Sequence, residues 1–150
     1  MPQPQHILEA VAKIGAERSQ DFYRALAAEK DPFARGEAAK NLASGVDRDR
    51  AQNLPVLKNL LTDSQVSVRL RAAVSLISLE EATDRSVVLE VLNSKNEGEQ
   101  RRALQQLARL KSPEQRAFAK QRIEALATDR TVHEETCRAA RQLLQDKSQR

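Results

Sequence analysis

Four times along this chain the same short pattern returns, Ala-Ala-x-x-Leu-Ala or a close variant. It reads Ala38, Ala39, Leu42, Ala43, then Ala72, Ala73, Leu76, Ile77, then Ala103, Leu104, Leu107, Ala108, and finally Ala139, Ala140, Leu143, Leu144. The copies lie 34, 31 and 36 residues apart, and each has Ala first and Leu third. Positions with this spacing share one face of an α-helix. A period in the thirties is the length of one helical hairpin, a unit that cannot bury its apolar stripes without neighbours like itself. A weaker half copy, Ile7, Leu8, Val11 and Ala12, precedes the first.

The clearest hairpin is Leu60 to Leu79, LLTDSQVSVRLRAAVSLISL, in which Thr62, Asp63 and Ser64 break one apolar run and a longer one follows. Val66, Arg69, Ala72, Ala73, Leu76 and Ile77 fall on one face of that second run. Turn chemistry agrees with the phasing. Gly15 and Gly45 stand just past apolar runs, as C-terminal caps do. Ser112-Pro113-Glu114 is a cap, a first-turn proline and a helix-favouring acid in order, and Asp31-Pro32 starts a helix the same way. Asp129, after Thr128, is expected to cap the last helix. The pattern predicts nine helices, about 4–14, 19–29, 32–44, 53–62, 65–80, 84–94, 97–110, 113–128 and 131–147. Pro55 is placed near the start of its helix, 46–52 as the longest connector, and residues 1–4 and 147–150 as fraying ends.

Ala, Leu and Val supply most of the apolar content, with no Trp and one Tyr, and no segment alternates like a half-buried strand. An all-α fold in a single domain, 1–150, is the expectation. The one cysteine, Cys137, fits a reducing compartment. The N-terminus lacks the features of a signal peptide and no apolar run reaches membrane-spanning length, so a soluble, cytoplasmic protein without membrane partners is expected. A net charge of +4 permits an anionic partner without demanding one.

The run L-L-T-D-x-x-V-x-V-R-x-x-A-A-x-x-L at Leu60–Leu76 resembles a HEAT repeat of the short type common in bacterial scaffold proteins, and Ile14–Arg18 looks like the link between successive repeats. The resemblance implies a right-handed α-solenoid of about four to five stacked HEAT-like hairpins: a half repeat at 4–17 and repeats at about 18–45, 51–80, 84–110 and 113–147. Arg35 and Arg69 occupy the family's arginine position and Asp63 its aspartate, which implies a tie that caps turn carbonyls and bridges neighbouring repeats. At the third repeat Gln100 replaces that arginine.

In such folds the second helices of successive repeats line one side. With the Ala-Ala-Leu face inward, the outward columns read Glu37, Arg71, Arg102, Arg138; Asn41, Ser75, Gln106, Gln142; Ser44, Ser78, Arg109, Gln145; and Lys40, Val74, Gln105, Arg141. The expected partner-binding residues are Arg71, Arg102, Arg138, Arg109, Arg141, Gln106 and Gln142. They suit a non-catalytic scaffold that takes an acidic segment or helix of another protein along an Arg/Gln-rich groove. Solvated helix exteriors are the bland alternative, and nucleic-acid backbone binding through the same surface is another. Interleaved acids and missing stacking aromatics weigh against a single-strand platform. Some HEAT-like proteins are enzymes, DNA glycosylases and bilin lyases among them, but too few aromatics are present for a base-holding cleft. His133 and Cys137 share a helical face without an obvious third ligand, so no metal, cofactor or small-molecule substrate is expected.

Leu76 belongs to the inward column, so Leu76→Ala should destabilise by about 2–5 kcal/mol in chemical denaturation. A loss below about 1 kcal/mol would contradict the phasing of that repeat.

Overall fold

The inter-helix turns are where this chain commits its polar side chains. A computed structural model describes residues 16–44, 47–79, 85–110 and 112–146. Among them the structure is all-helical, with no strand. In order come α1 (Ala16–Leu26), α2 (Pro32–Asn41) with a 3-10 turn at Leu42–Ser44, α3 (Asp47–Leu60), α4 (Val66–Ser78), α5 (Arg85–Asn93), α6 (Glu97–Ala108), α7 (Pro113–Arg116) with a 3-10 turn at Ala117–Ala119, α8 (Lys120–Thr128) and α9 (Glu134–Asp146). No helix among the described residues is long and apolar enough to cross a membrane. The expected half repeat and helix 4–14, like the glycine caps at Gly15 and Gly45, lie outside the described residues.

The helices pair as α1/α2, α3/α4, α5/α6 and α8/α9, and substantial packing occurs only within a hairpin or between consecutive ones. Second helices pack in file, α2 on α4, α4 on α6 and α6 on α9. Most of the repeated face is inward as phased: Ala38, Ala72, Ala103, Leu42, Leu76, Leu107 and Leu143 are all buried, whereas Ala43, Ala139 and Leu144 are half-buried and Ala108 is exposed. Helix α4 is the hinge of the packing. Its Val68, Ala72 and Leu76 belong to a core shared with the first hairpin, whereas Leu70, Ala73, Val74 and Ile77 belong to the core of the last three. A helix covered on two sides is apolar nearly all round. For that reason Val74 and Ser75 are buried rather than outward as expected, and Ser75 Oγ donates to Ala39 O at 2.6 Å.

Several element boundaries differ from expectation. The expected connector 46–52 is helical from Asp47, which leaves Pro55 inside α3. Arg50 Nη2 donates to Leu79 O at 2.6 Å and anchors this early turn across the hairpin. Pro55 is exposed, so the backbone bond its ring removes is lost at the wet side of the helix. Asn53, two residues before it, is fully buried and bonded three ways: to Gln20 Oε1 at 2.7 Å, to Leu42 O at 3.0 Å, and from Arg24 Nη1 at 2.6 Å. That network joins the first two hairpins. The predicted helix 113–128 is interrupted at Ala117–Ala119, where the tighter turn carries Phe118 against the Arg85 guanidinium, 5.4 Å from the ring centre. Ser112 and Asp31 cap their helices as expected, accepting from Glu114 N and Phe33 N. Asp129 instead caps its own turn through the Thr131 amide and hydroxyl, and His133 Nδ1 accepts from the Glu135 amide at the start of α9.

In three hairpins the turn between the two helices is held by one side chain from the helix that follows it. Arg35 Nη1 donates to Glu29 O and Lys30 O, at 3.0 and 2.7 Å. Arg69 Nη1 donates to Asp63 O at 2.6 Å. Gln100, at the equivalent place, donates to Leu92 O and Ser94 O, so the amide does the work of the arginine it replaces. Arg35 also reaches into the next hairpin, with Nε 2.6 Å from Asp63 Oδ2 and Nη2 3.2 Å from Oδ1. Burial alone would raise the Asp63 carboxyl, but the Arg35 hydrogen bond, the Gln65 amide and the nearby guanidinium charges together hold it below the usual carboxylate range.

Because the folded-state value is depressed, this pair contributes stability above the unfolded carboxylate pKa of about 3.9, and the contribution is lost as pH falls below it. Asp63→Asn should therefore cost about 1.5–3 kcal/mol at pH 7, with the gap to the parent closing below about pH 4. Urea denaturation across that range checks it; a gap that persists unchanged at pH 3 would contradict the pairing.

Candidate functional site

The file of second helices leaves a groove where α2, α4 and α6 turn their outer sides to solvent. It has two parts that meet at Gln106, which lines both. One, about 350 Å³, lies near the helix starts and is walled by Phe33, Gly36, Gln65, Leu70, Arg71 and Arg102. The other, about 460 Å³, lies toward the helix ends and is walled by Lys40, Asn41, Ser78, Arg109, Gln115 and the edge of Val74. Four cations from three consecutive hairpins therefore face one groove. Among the described residues no carboxylate lines either part.

The cations are held differently. Gly36, with no side chain, leaves room for Arg71 to lie across α2: a methyl group there would meet Arg71 Nη1 at 3.2 Å. From that position Arg71 Nη1 reaches Glu37 Oε1 at 3.2 Å, with the arginine 30% and the glutamate 17% exposed. Arg102 Nη1 reaches Glu99 Oε1 at 3.2 Å on its own helix and is 59% exposed. Lys40 and Arg109, both exposed, have no acidic partner among the described residues. Exposed pairs of the Arg102 kind contribute about 0–1 kcal/mol and exchange partners readily.

Of the expected binding residues, the structure brings Arg71, Arg102, Gln106 and Arg109 together and leaves Arg138, Arg141 and Gln142 apart. Arg138 is 70% exposed and pairs with Glu134, four residues before it on α9. Arg141 faces a separate hollow beside Asp129 and Cys137, and its Nε donates to Ala127 O at 3.3 Å. Gln142 lines neither part of the groove. Between α6 and α9 the surface differs: α9 starts with Glu134 and Glu135, and Arg101 reaches across to Glu135 at 2.9 Å while Glu97 accepts the His133 amide. These ties fill the step between α6 and α9 with alternating charge. Cys137 Sγ donates to Asp129 O.

The sequence columns missed Phe33, Gln65 and Gln115. Phe33 follows the first-turn proline of α2, off the Ala-Ala-Leu face, and that offset was its readable signal. Gln115 comes from α7 of the following hairpin, with Nε2 3.5 Å from Ser78 O, and no periodicity on the second helices could have brought it here. Comparison with known protein families finds no family model that matches the chain, and no curated protein matches its sequence.

Proposed function

We propose that this protein is a HEAT-like, right-handed α-solenoid that works as a non-catalytic interaction scaffold, holding an acidic segment of another protein along the groove of α2, α4 and α6. The observation that carries this reading is the lining itself: Lys40, Arg71, Arg102 and Arg109 from three consecutive hairpins, with amides between them and no described carboxylate among them. The file of hairpins, each packing only on its neighbours, supports the solenoid reading, because that is how repeat arrays bury their faces. Guanidinium groups recognise carboxylates through paired N–H donors, and Gln105 and Gln106 offer both a donor and an acceptor to a bound main chain.

Nucleic acid is the weaker occupant. Phosphates on one strand repeat about every 3.4 Å, so a backbone rewards a long uninterrupted track. Here the positive track ends at α6, beyond which Glu134 and Glu135 are exposed.

Titration of a labelled glutamate-rich peptide and of a 20-base-pair DNA duplex, both at physiological salt, tests the reading. The parent should bind the peptide more tightly than the duplex. Arg102→Glu with Arg109→Glu should lower peptide affinity at least tenfold with unchanged helix content, since both side chains are exposed and each reversed charge repels the segment. Arg138→Glu, away from the groove, should change it less than twofold. Tighter binding of the duplex, or equal losses for both variants, would overturn the assignment.

A further inference from the structure

Phe33 is the one exposed large hydrophobic side chain among the described residues, with 44% of its surface open to solvent. It stands in the first turn of α2, at the mouth of the smaller part of the groove, with Pro32 beside it and Leu70 at the floor. Arg71 and Arg102 rim the same space. An aromatic ring and guanidinium groups that line one hollow make a seat for another aromatic ring, which gains from edge-to-face contact and from stacking against the cations. Lys40, seven residues further along α2, is on nearly the same face after two turns, about 10 Å away along the axis. There it joins Arg109 in the larger part.

From this arrangement we infer that the groove selects an acidic segment carrying one aromatic side chain about three residues from its carboxylates. The inference rests on the acidic-segment reading above and narrows it. An extended chain advances about 3.3 Å per residue, so three residues span the step from the Phe33 seat to the cations Lys40 and Arg109. Gln106, which lines both parts, is placed to hold the main chain between them. The two ends do different jobs: Lys40 and Arg109, which have no acidic partner among the described residues, draw the carboxylates, and the Phe33 seat, whose arginines pair with Glu37 and Glu99, adds the aromatic contact.

Four labelled peptides test this by fluorescence anisotropy: one with a phenylalanine three residues ahead of a Glu-Glu pair, one with alanine in place of that phenylalanine, one with the phenylalanine adjacent to the pair, and one with Gln-Gln in place of Glu-Glu. The first should bind at least about fivefold more tightly than the alanine and adjacent versions, and the Gln-Gln version should bind at least tenfold more weakly. On Phe33→Ala, an exposed position that leaves the core untouched, the preference for the first peptide over the alanine version should vanish while dependence on the Glu pair remains. Equal binding of all three Glu-containing peptides would overturn the aromatic seat and leave the acidic-segment reading standing. Binding that ignores the Glu pair would overturn both.

Discussion

Backbone carbonyls at the turn inside a helical hairpin have lost their helical partners, and unless something replaces them the turn cannot be packed against a neighbour. Here one side chain on the second helix takes them, from the same place in three hairpins: Arg35, Arg69 and Gln100. Because each donor is on the helix that follows the turn, it fixes how that helix leaves its partner. Arg35 then spends its remaining donors on Asp63 of the next hairpin, which joins the geometry of one turn to the next. In the fourth hairpin the equivalent residue is Thr136, fully buried, whose hydroxyl has no hydrogen-bond partner among the described residues. Cys137 takes the Asp129 carbonyl there instead, and Arg122 of α8 reaches back to Leu92 O.

Once the turns are set, the second helices have little freedom in how they file past one another. Helix α4, with apolar contacts on both sides, is pinned between α2 and α6, and its outward face shrinks to a narrow strip that includes Ser67, Arg71 and Ser78. That narrowing creates the groove. A wider polar face on α4 would fill the space with its own long side chains. Gly36 does the same for α2 by letting Arg71 lie flat. The groove is thus a by-product of close helix packing, and its charge comes from what stands at its two walls.

The inward columns were legible in the sequence because burial acts on every copy alike: Ala38, Ala72 and Ala103 share one constraint and so share one residue type. The turn tie was legible at Arg35 and Arg69, and its persistence through Gln100 was not, because an amide can cap carbonyls without the charge that flags an arginine. The outward columns were read less well. A helical wheel treats each second helix as having one covered side, and Val74 and Ser75 show that α4 has two. It also assumes that equivalent positions stay aligned in space. Arg138 is equivalent to Arg71 and Arg102 in sequence, yet it pairs with Glu134 and lines neither part of the groove. The Gln20–Asn53–Arg24 network had no periodic signature at all, since it is made once, between two first helices and one turn.

The central claim is that a protein segment lies across three hairpins in this groove, and amide chemical-shift mapping tests it most directly. With isotope-labelled protein and a saturating glutamate-rich peptide, the largest shifts should fall together on Lys40, Asn41, Ser78, Gln106 and Arg109, on three different helices, with Arg138 and Gln142 nearly still. Shifts concentrated on α9, or scattered over all exposed arginines without a common face, would contradict the account.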